Sequence, residues 1–203
     1  MVALGATGMV PLLTFYDCNR QDPPFVLACV EPDGRALATS DPDEAWERVA
    51  VALWSVHTKE LEPDQLPLLT DGREGWWGSK LTELAADAAD LVDFAHLTSS
   101  AASRLRASAA VAFADLDEPP LRAIHGDLDP AKVICRPGAR PVTFWGFASA
   151  GWGEAAWDFV TLCLDDPGRL PVLLGRYPNA EVVERAAVVE HSYRIARHLA
   201  LAR

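Results

Sequence analysis

The stretch IHGDLDPAKVICRPGARPVTFWGF, Ile124 to Phe147, decides the fold. Two short apolar runs, Val133 to Arg136 and Pro141 to Phe147, flank the turn residues PGAR, the pattern of a hairpin. Leu121 to Ile124 is a third β-like piece, and His125-Gly126-Asp127 follows it directly. Asp127 therefore stands on a loop between strands, five residues before Lys132 and nineteen before Gly146. A second run rich in glycine and tryptophan, AGWGEAAWDFV, starts four residues after Gly146.

Upstream, the apolar runs Val10 to Asp17 and Phe25 to Glu31 are separated by CNRQDPP and predict a two-stranded hairpin with a long loop. Ser40 and Asp41 are candidate N-caps for a helix whose apolar face repeats at Trp46, Val49, Ala50 and Leu53 and which runs to about His57. TKELEPDQLPLLTDGREGWWG reads as a polar loop punctuated by Pro and Gly. Helices are expected over Ser79 to Leu97, Ser99 to Leu116, Gly153 to Leu164 and Ala180 to Leu201. The order of hairpin, helices, small β cluster and helices predicts an α+β class, not a doubly wound sheet.

The chain has 203 residues, enough for a substantial core, and a net charge of −11. That charge argues against nucleic acid and anionic membrane surfaces as partners, because both call for basic patches. No apolar run is long enough to span a bilayer, and no Lys or Arg precedes Arg20, so a secretory signal is not expected. Cys18, Cys29, Cys135 and Cys163 are scattered with no metal-ligand spacing, which points to a reducing cytoplasm. His57, His96, His191 and His198 show no such spacing either. Abundant alanine, with arginine outnumbering lysine, suggests a bacterial source.

Taken together, His125-Gly126-Asp127-Leu128, the hairpin after it and AGWGEAAWDF resemble the aminoglycoside phosphotransferase and choline kinase-like family. That family's pattern is H-G-D-L-x-x-x-N, a hairpin, I-D-W or I-D-F, and then A-G-x-G-D-P-x-x-D-L-A. VPLLTFYDCNRQDPPFVLACVEPDGRAL resembles its last N-lobe strands and hinge, and ALWSVHTKELEP its next helix. The resemblance implies a protein kinase-like fold with a mostly complete helical C-lobe. It places an N-lobe remnant, hairpin plus hinge, at residues 1–38 and the helical C-lobe with its catalytic-loop-like β cluster at 39–203.

The departures carry as much information as the matches. The resemblance makes Asp127 the base that orients an acceptor hydroxyl and His125 a loop-packing residue. It puts two magnesium ligands at positions held here by Lys132 and Gly146. A hard cation needs oxygen donors; glycine offers no side-chain oxygen, and lysine is a cationic donor. The family's glycine-rich segment and strand lysine have no counterpart: GATG, Gly5 to Gly8, has the wrong spacing, and no lysine precedes Lys59. The resemblance also implies that Asp158 accepts backbone N–H groups of the Asp127 loop as a buried anchor.

Each site residue keeps a plainer alternative. Asp127 is a base, a loop-shaping or ligand-contacting residue, or a solvated turn. Asp129 is a substitute oxygen ligand or a turn residue before Pro130. Lys132 binds an anionic ligand directly or is solvated. Glu154 contacts ligand or sits at a helix N-terminus favoured by the dipole. Trp145, Trp152, Trp157 and Phe147 are expected mostly in the core, and Trp76-Trp77 either anchors its loop or offers a stacking surface.

The resulting expectation is a degenerate phosphotransferase, a pseudokinase-type binding or regulatory protein with no cofactor. The alternative is an active enzyme that uses ATP and magnesium to phosphorylate a hydroxyl of an amine-bearing substrate such as an aminoglycoside. An uncovered hairpin edge would call for a homodimer or a protein partner, and the acidic body would suit a small cationic ligand.

Overall fold

The computed structural model describes residues 13–16, 27–29, 34–60, 75–94, 96–114, 116–136 and 142–202, the first two segments as backbone only. Strand β1 (Leu13–Tyr16) pairs antiparallel with β2 (Leu27–Cys29), with a register irregularity between Leu13 and Phe15, so the expected hairpin is present. Its loop and GATG lie outside the described residues. Strand β3 (Arg35–Ala36) lies against β5 (Val133–Cys135), which also pairs with β6 (Thr143–Phe144) in an antiparallel sheet of order β3-β5-β6. Residues expected to form the hinge thus complete the sheet that carries the Asp127 loop.

Helix α1 (Asp43–His57) begins after Pro42, with no side-chain cap. Neither Ser40 nor Asp41 plays that role. Asp41 turns back, accepting the Ala38 N–H at 2.9 Å and pairing with Arg35. Helix α2 (Gly75–Asp93) starts four residues before Ser79 and takes in Trp76 and Trp77. Burial explains the difference from the expected loop. Trp77 stacks on Phe113 at 5.0 Å and its indole N–H donates to Asp117 O at 3.0 Å. The Trp76 backbone N–H, free at the first turn, donates to Glu118 Oε2 at 2.8 Å. The helix stops before Leu97 because the His96 and Leu97 N–H groups fold back onto Leu91 O.

Helix α3 (Ser99–Ala114) leads to β4 (Arg122–Ile124), which pairs with β7 (Gly151–Gly153). Strand β7 is not expected from the sequence, since Gly-Trp-Gly carries little strand signal. Gly153 is required there: a Cβ would lie 2.5 Å from Ile124 Cδ1 and 2.6 Å from Trp76 Cζ3. Three helices follow, α4 (Ala155–Leu162), α5 (Leu170–Arg176) and α6 (Ala180–Leu201). Asn179 caps α6 by accepting the Val182 N–H at 3.0 Å, and the helix has the expected bounds.

Every residue of α4 is buried, because the helix runs between two hydrophobic clusters. Phe159 and Leu162 face the cluster of α1, α5 and the three-stranded sheet. Ala156, Trp157 and Val160 face that of α2, α3 and α6. Each fully buried large side chain contributes about 1.5–3 kcal/mol, so α4 is the rigid base from which the site is built. Among the described residues no helix is long and apolar enough to cross a membrane.

Candidate functional site

The site is a loop held from below by one carboxylate and covered above by two cations. Asp158, in the first turn of α4, is completely buried. Its Oδ2 accepts the His125 N–H at 2.8 Å and its Oδ1 the Gly126 N–H at 2.9 Å. His57, the last residue of α1, lies with Nε2 3.1 Å from Asp158 Oδ2 and Nδ1 2.8 Å from the Tyr177 hydroxyl. Burial pushes the Asp158 carboxyl up, but the His57 hydrogen bond, the attraction of the His57 and His125 rings, and the His125 N–H outweigh it and leave the group below its ordinary value. Helices α1 and α4 and the end of α5 are thereby tied to one loop.

His125 is buried beneath that loop, its ring 4.5 Å from that of Phe147. Its Nε2–H donates to Trp145 O at 2.9 Å, and its Nδ1 faces the Asp127 N–H at 3.4 Å. The Trp157 indole N–H donates to Gly126 O at 2.8 Å, adding a third tie from α4. These contacts give Gly126 the positive φ of 82° that a glycine takes without penalty.

Above the loop the residues gather differently. Asp129 caps the short 3-10 turn Pro130–Lys132 through the Lys132 N–H. The same turn brings the Lys132 ammonium to 2.7 Å from Asp127 O and 3.2 Å from Asp129 Oδ2, and into an ion pair with Asp127 Oδ2. Arg197 of α6 takes the other oxygen, Asp127 Oδ1. Partial burial raises the Asp127 carboxyl, but Lys132 and Arg197 outweigh that and hold it below its ordinary value. Gly146 lies beside this cluster with φ 82°, and a Cβ there would stand 3.4 Å from Lys132 Cδ. Trp145 is 45% exposed, contrary to the core expectation, with its indole N–H on Ala131 O at 2.9 Å.

The structure brings Asp127, Asp129, Lys132 and Gly146 together, with His125 and Asp158 beneath them. It does not bring Glu154 to them. Glu154 is buried at the head of α4, paired through Oε2 with the Tyr193 hydroxyl, which accepts the Trp76 indole N–H at 2.5 Å. Arg185 Nε stands 3.4 Å from Oε1, near enough for attraction but not aligned as a hydrogen bond. Burial dominates and pushes the Glu154 carboxyl up to about 8, against the pull of Arg185. Lys80 lies close by, its ammonium 4.7 Å from the Trp76 ring centre and 4.6 Å from that of Trp157. Trp76 and Trp157 are therefore buried anchors.

Two participants have no sequence signal in the loop itself: Arg197 lies seventy residues downstream, and Tyr177 follows a helix the sequence reading did not anticipate. His57 ends a recognisable helix motif, but only the fold shows that it meets Asp158. Among the described residues no three His, Cys, Asp or Glu side chains converge as a metal-holding group.

No protein-family model matches the sequence, and no curated protein matches it. Solved structures do match. An ethanolamine kinase from Plasmodium vivax aligns at 14% identity and TM-score 0.68, over 98% of this chain and 62% of its own. The aminoglycoside-3'-phosphotransferase of type VIII aligns at 20% identity and TM-score 0.62, over 98% of this chain and 77% of its own. A choline kinase from Streptococcus pneumoniae aligns at 13% identity and TM-score 0.62, over 97% of this chain and 69% of its own. The chain thus spans under two thirds of the ethanolamine kinase and somewhat more of the other two. These likenesses show that it has the kinase-like fold of choline and ethanolamine kinases and aminoglycoside phosphotransferases.

Proposed function

We propose that this chain is a catalytically inactive, pseudokinase-type binding or regulatory protein built on the aminoglycoside phosphotransferase fold. One observation carries the reading: both carboxylate oxygens of Asp127 are engaged by cations of the chain itself, Lys132 and Arg197. A base must offer an oxygen to the acceptor hydroxyl with enough basicity to draw its proton. The Asp127 oxygens are already shared, and their basicity is lowered.

The residues present do not fit the magnesium that the family resemblance implies. A divalent ion about 4 Å from an ammonium is repelled by about 8 kcal/mol at an effective dielectric constant near 20, before solvent screening reduces the figure at this partly exposed site. Gly146 adds no donor to offset that repulsion. The active alternative would need Asp129 or Glu154 as a ligand, but Asp129 is tied to Lys132 and Glu154 is enclosed with Tyr193. Losing a principal metal ligand removes several kcal/mol of transition-state stabilisation. ATP and magnesium belong only to that alternative.

A protein partner or a second copy is the binding role best supported, because β1 and β2 form a two-stranded sheet with no further strand among the described residues. The net charge of −11 favours a small cationic ligand over nucleic acid or an anionic membrane. A cytoplasmic setting suits the free, buried thiols of Cys135 and Cys163. The test incubates purified protein with labelled ATP, magnesium or manganese, and a panel of aminoglycosides, choline and ethanolamine. No phosphate transfer is expected; transfer that disappears in Asp127→Ala overturns the reading.

A further inference from the structure

We propose that Lys132 is a tethered replacement for a dissociable cation, and that Gly146 is its companion, so that this loop accepts a divalent cation only when both positions change. The inference rests on the inactive reading and goes further, since it makes the two departures from the family pattern a single structural unit.

The first support is what surrounds the ammonium. Lys132 Nζ faces three oxygens: Asp127 O at 2.7 Å, Asp127 Oδ2, and Asp129 Oδ2 at 3.2 Å. Carboxylate and carbonyl oxygens facing a common point form a donor set suited to a hard cation. Here a side chain of the same loop fills that point. The tether needs no binding step, because the ammonium belongs to the chain and the Lys132 backbone is fixed by the 3-10 turn and by the Trp145 N–H on Lys132 O at 3.1 Å.

The second support is independent and comes from the backbone across the sheet. A side chain at position 146 would start toward the Lys132 stem, its Cβ standing 3.4, 3.5 and 3.7 Å from Lys132 Cδ, Cε and Cγ. Position 146 therefore borders the Lys132 stem at van der Waals contact, and a longer side chain there would run alongside it toward the ammonium. A carboxylate added at 146 with Lys132 in place would meet the ammonium and form an internal ion pair. Removing Lys132 alone would leave Asp127 and Asp129 with Arg197 still on Asp127, too few free carboxylates to hold a divalent ion. Changing both would add one carboxylate and remove the competing charge.

The test measures Mn²⁺ affinity by electron paramagnetic resonance for the wild type, K132N, G146D and K132N/G146D. K132N/G146N controls for backbone strain at position 146, and circular dichroism checks that each protein is folded. The double change K132N/G146D is expected to bind Mn²⁺ about 10- to 100-fold tighter than any of the others. Equal affinity in K132N alone, or in the wild type, overturns the proposal, as does a folded double variant that gains no affinity. A second arm needs no variant: amide exchange of residues 125–132 in the wild type is expected to be the same in EDTA and in excess magnesium, and protection that requires magnesium overturns the tethered-cation account. Phosphate transfer by the wild type would remove the inactive reading but leave this pattern of affinities standing or falling by itself.

Discussion

Asp158→Ala should be among the most damaging single substitutions in the chain, although Asp158 is not exposed to any ligand. The side chain accepts two backbone N–H groups, at 2.8 and 2.9 Å, and faces the His57 imidazole at 3.1 Å, with no solvent exposure. Removing it strands three donors. Each buried unsatisfied donor costs about 1–3 kcal/mol, so three of them, partly satisfied by water entering the gap, leave a net loss of about 3–5 kcal/mol. That is a large share of the ~5–15 kcal/mol that holds a typical domain together. For a chain of this size it lowers Tm by roughly 6–20 °C. Urea denaturation followed by tryptophan fluorescence gives the free energy, and Tyr177→Phe, which removes only the hydroxyl on His57, serves as the mild comparison at about 1 kcal/mol. The pH dependence supplies a second reading. The Asp158 carboxyl is depressed on folding, so its contribution is present above the unfolded value near 4 and lost as pH falls through the lower folded value. The variant should therefore lack part of the wild-type acid limb. A loss below about 1 kcal/mol would show that the loop is held by something other than this carboxylate.

Three further outcomes follow from the same geometry. Glu154 is raised on folding to about 8, so the folded state binds the extra proton between the unfolded value near 4.5 and that point, and stability should fall as pH rises through this window. Glu154→Gln, which keeps an acceptor for Tyr193, should flatten that fall and exceed wild-type stability near pH 9 in thermal melts. Gly146→Ala forces a Cβ into the φ 82° conformation and should cost about 1–2 kcal/mol in urea denaturation, while Gly146→Asn should cost less. Arg197→Ala should raise the Asp127 carboxyl toward its ordinary value, read by carboxyl NMR titration, because one of its two cationic partners is lost.

The parts of the fold visible in the sequence are those set by local rules. The bounds of α6 match the expected Ala180 to Leu201, where Asn179 supplies a local cap, and α1 follows from its apolar period. The loop around Asp127 was visible because glycine, proline and short apolar runs mark turns and strands within a few residues. What failed was set by distant packing. Gly75 and Gly78 made Trp76-Trp77 read as loop, yet the helix starts there because Glu118, more than forty residues on, satisfies its first N–H. Gly-Trp-Gly at 151–153 is a strand because β4 needs a partner and Trp76 leaves no room for a side chain at Gly153. Asp41 read as a cap, but Arg35 and the Ala38 N–H compete for it successfully. For the site, the sequence supplied Asp127, Asp129, Lys132 and Gly146 as neighbours in one loop; the approach of Arg197 from α6 depends on how that helix packs and leaves no local trace.

Asp158 beneath the loop and Asp127 within it solve the same electrostatic problem by different means. Asp158 is fully buried, and its charge is offset by backbone N–H groups and an imidazole, none of which can diffuse away. Asp127 is partly exposed, and its charge is offset by Lys132 and Arg197, which are equally permanent. In neither case does the loop depend on a partner from solution to reach its shape. A cation arriving at Asp127 must displace groups held at the high effective concentration of a single chain, and only a ligand that also engages Asp129 or the exposed Trp145 face can recover that cost. On the proposed inactive reading, a small organic cation that makes several contacts at once competes for this loop better than a lone inorganic ion.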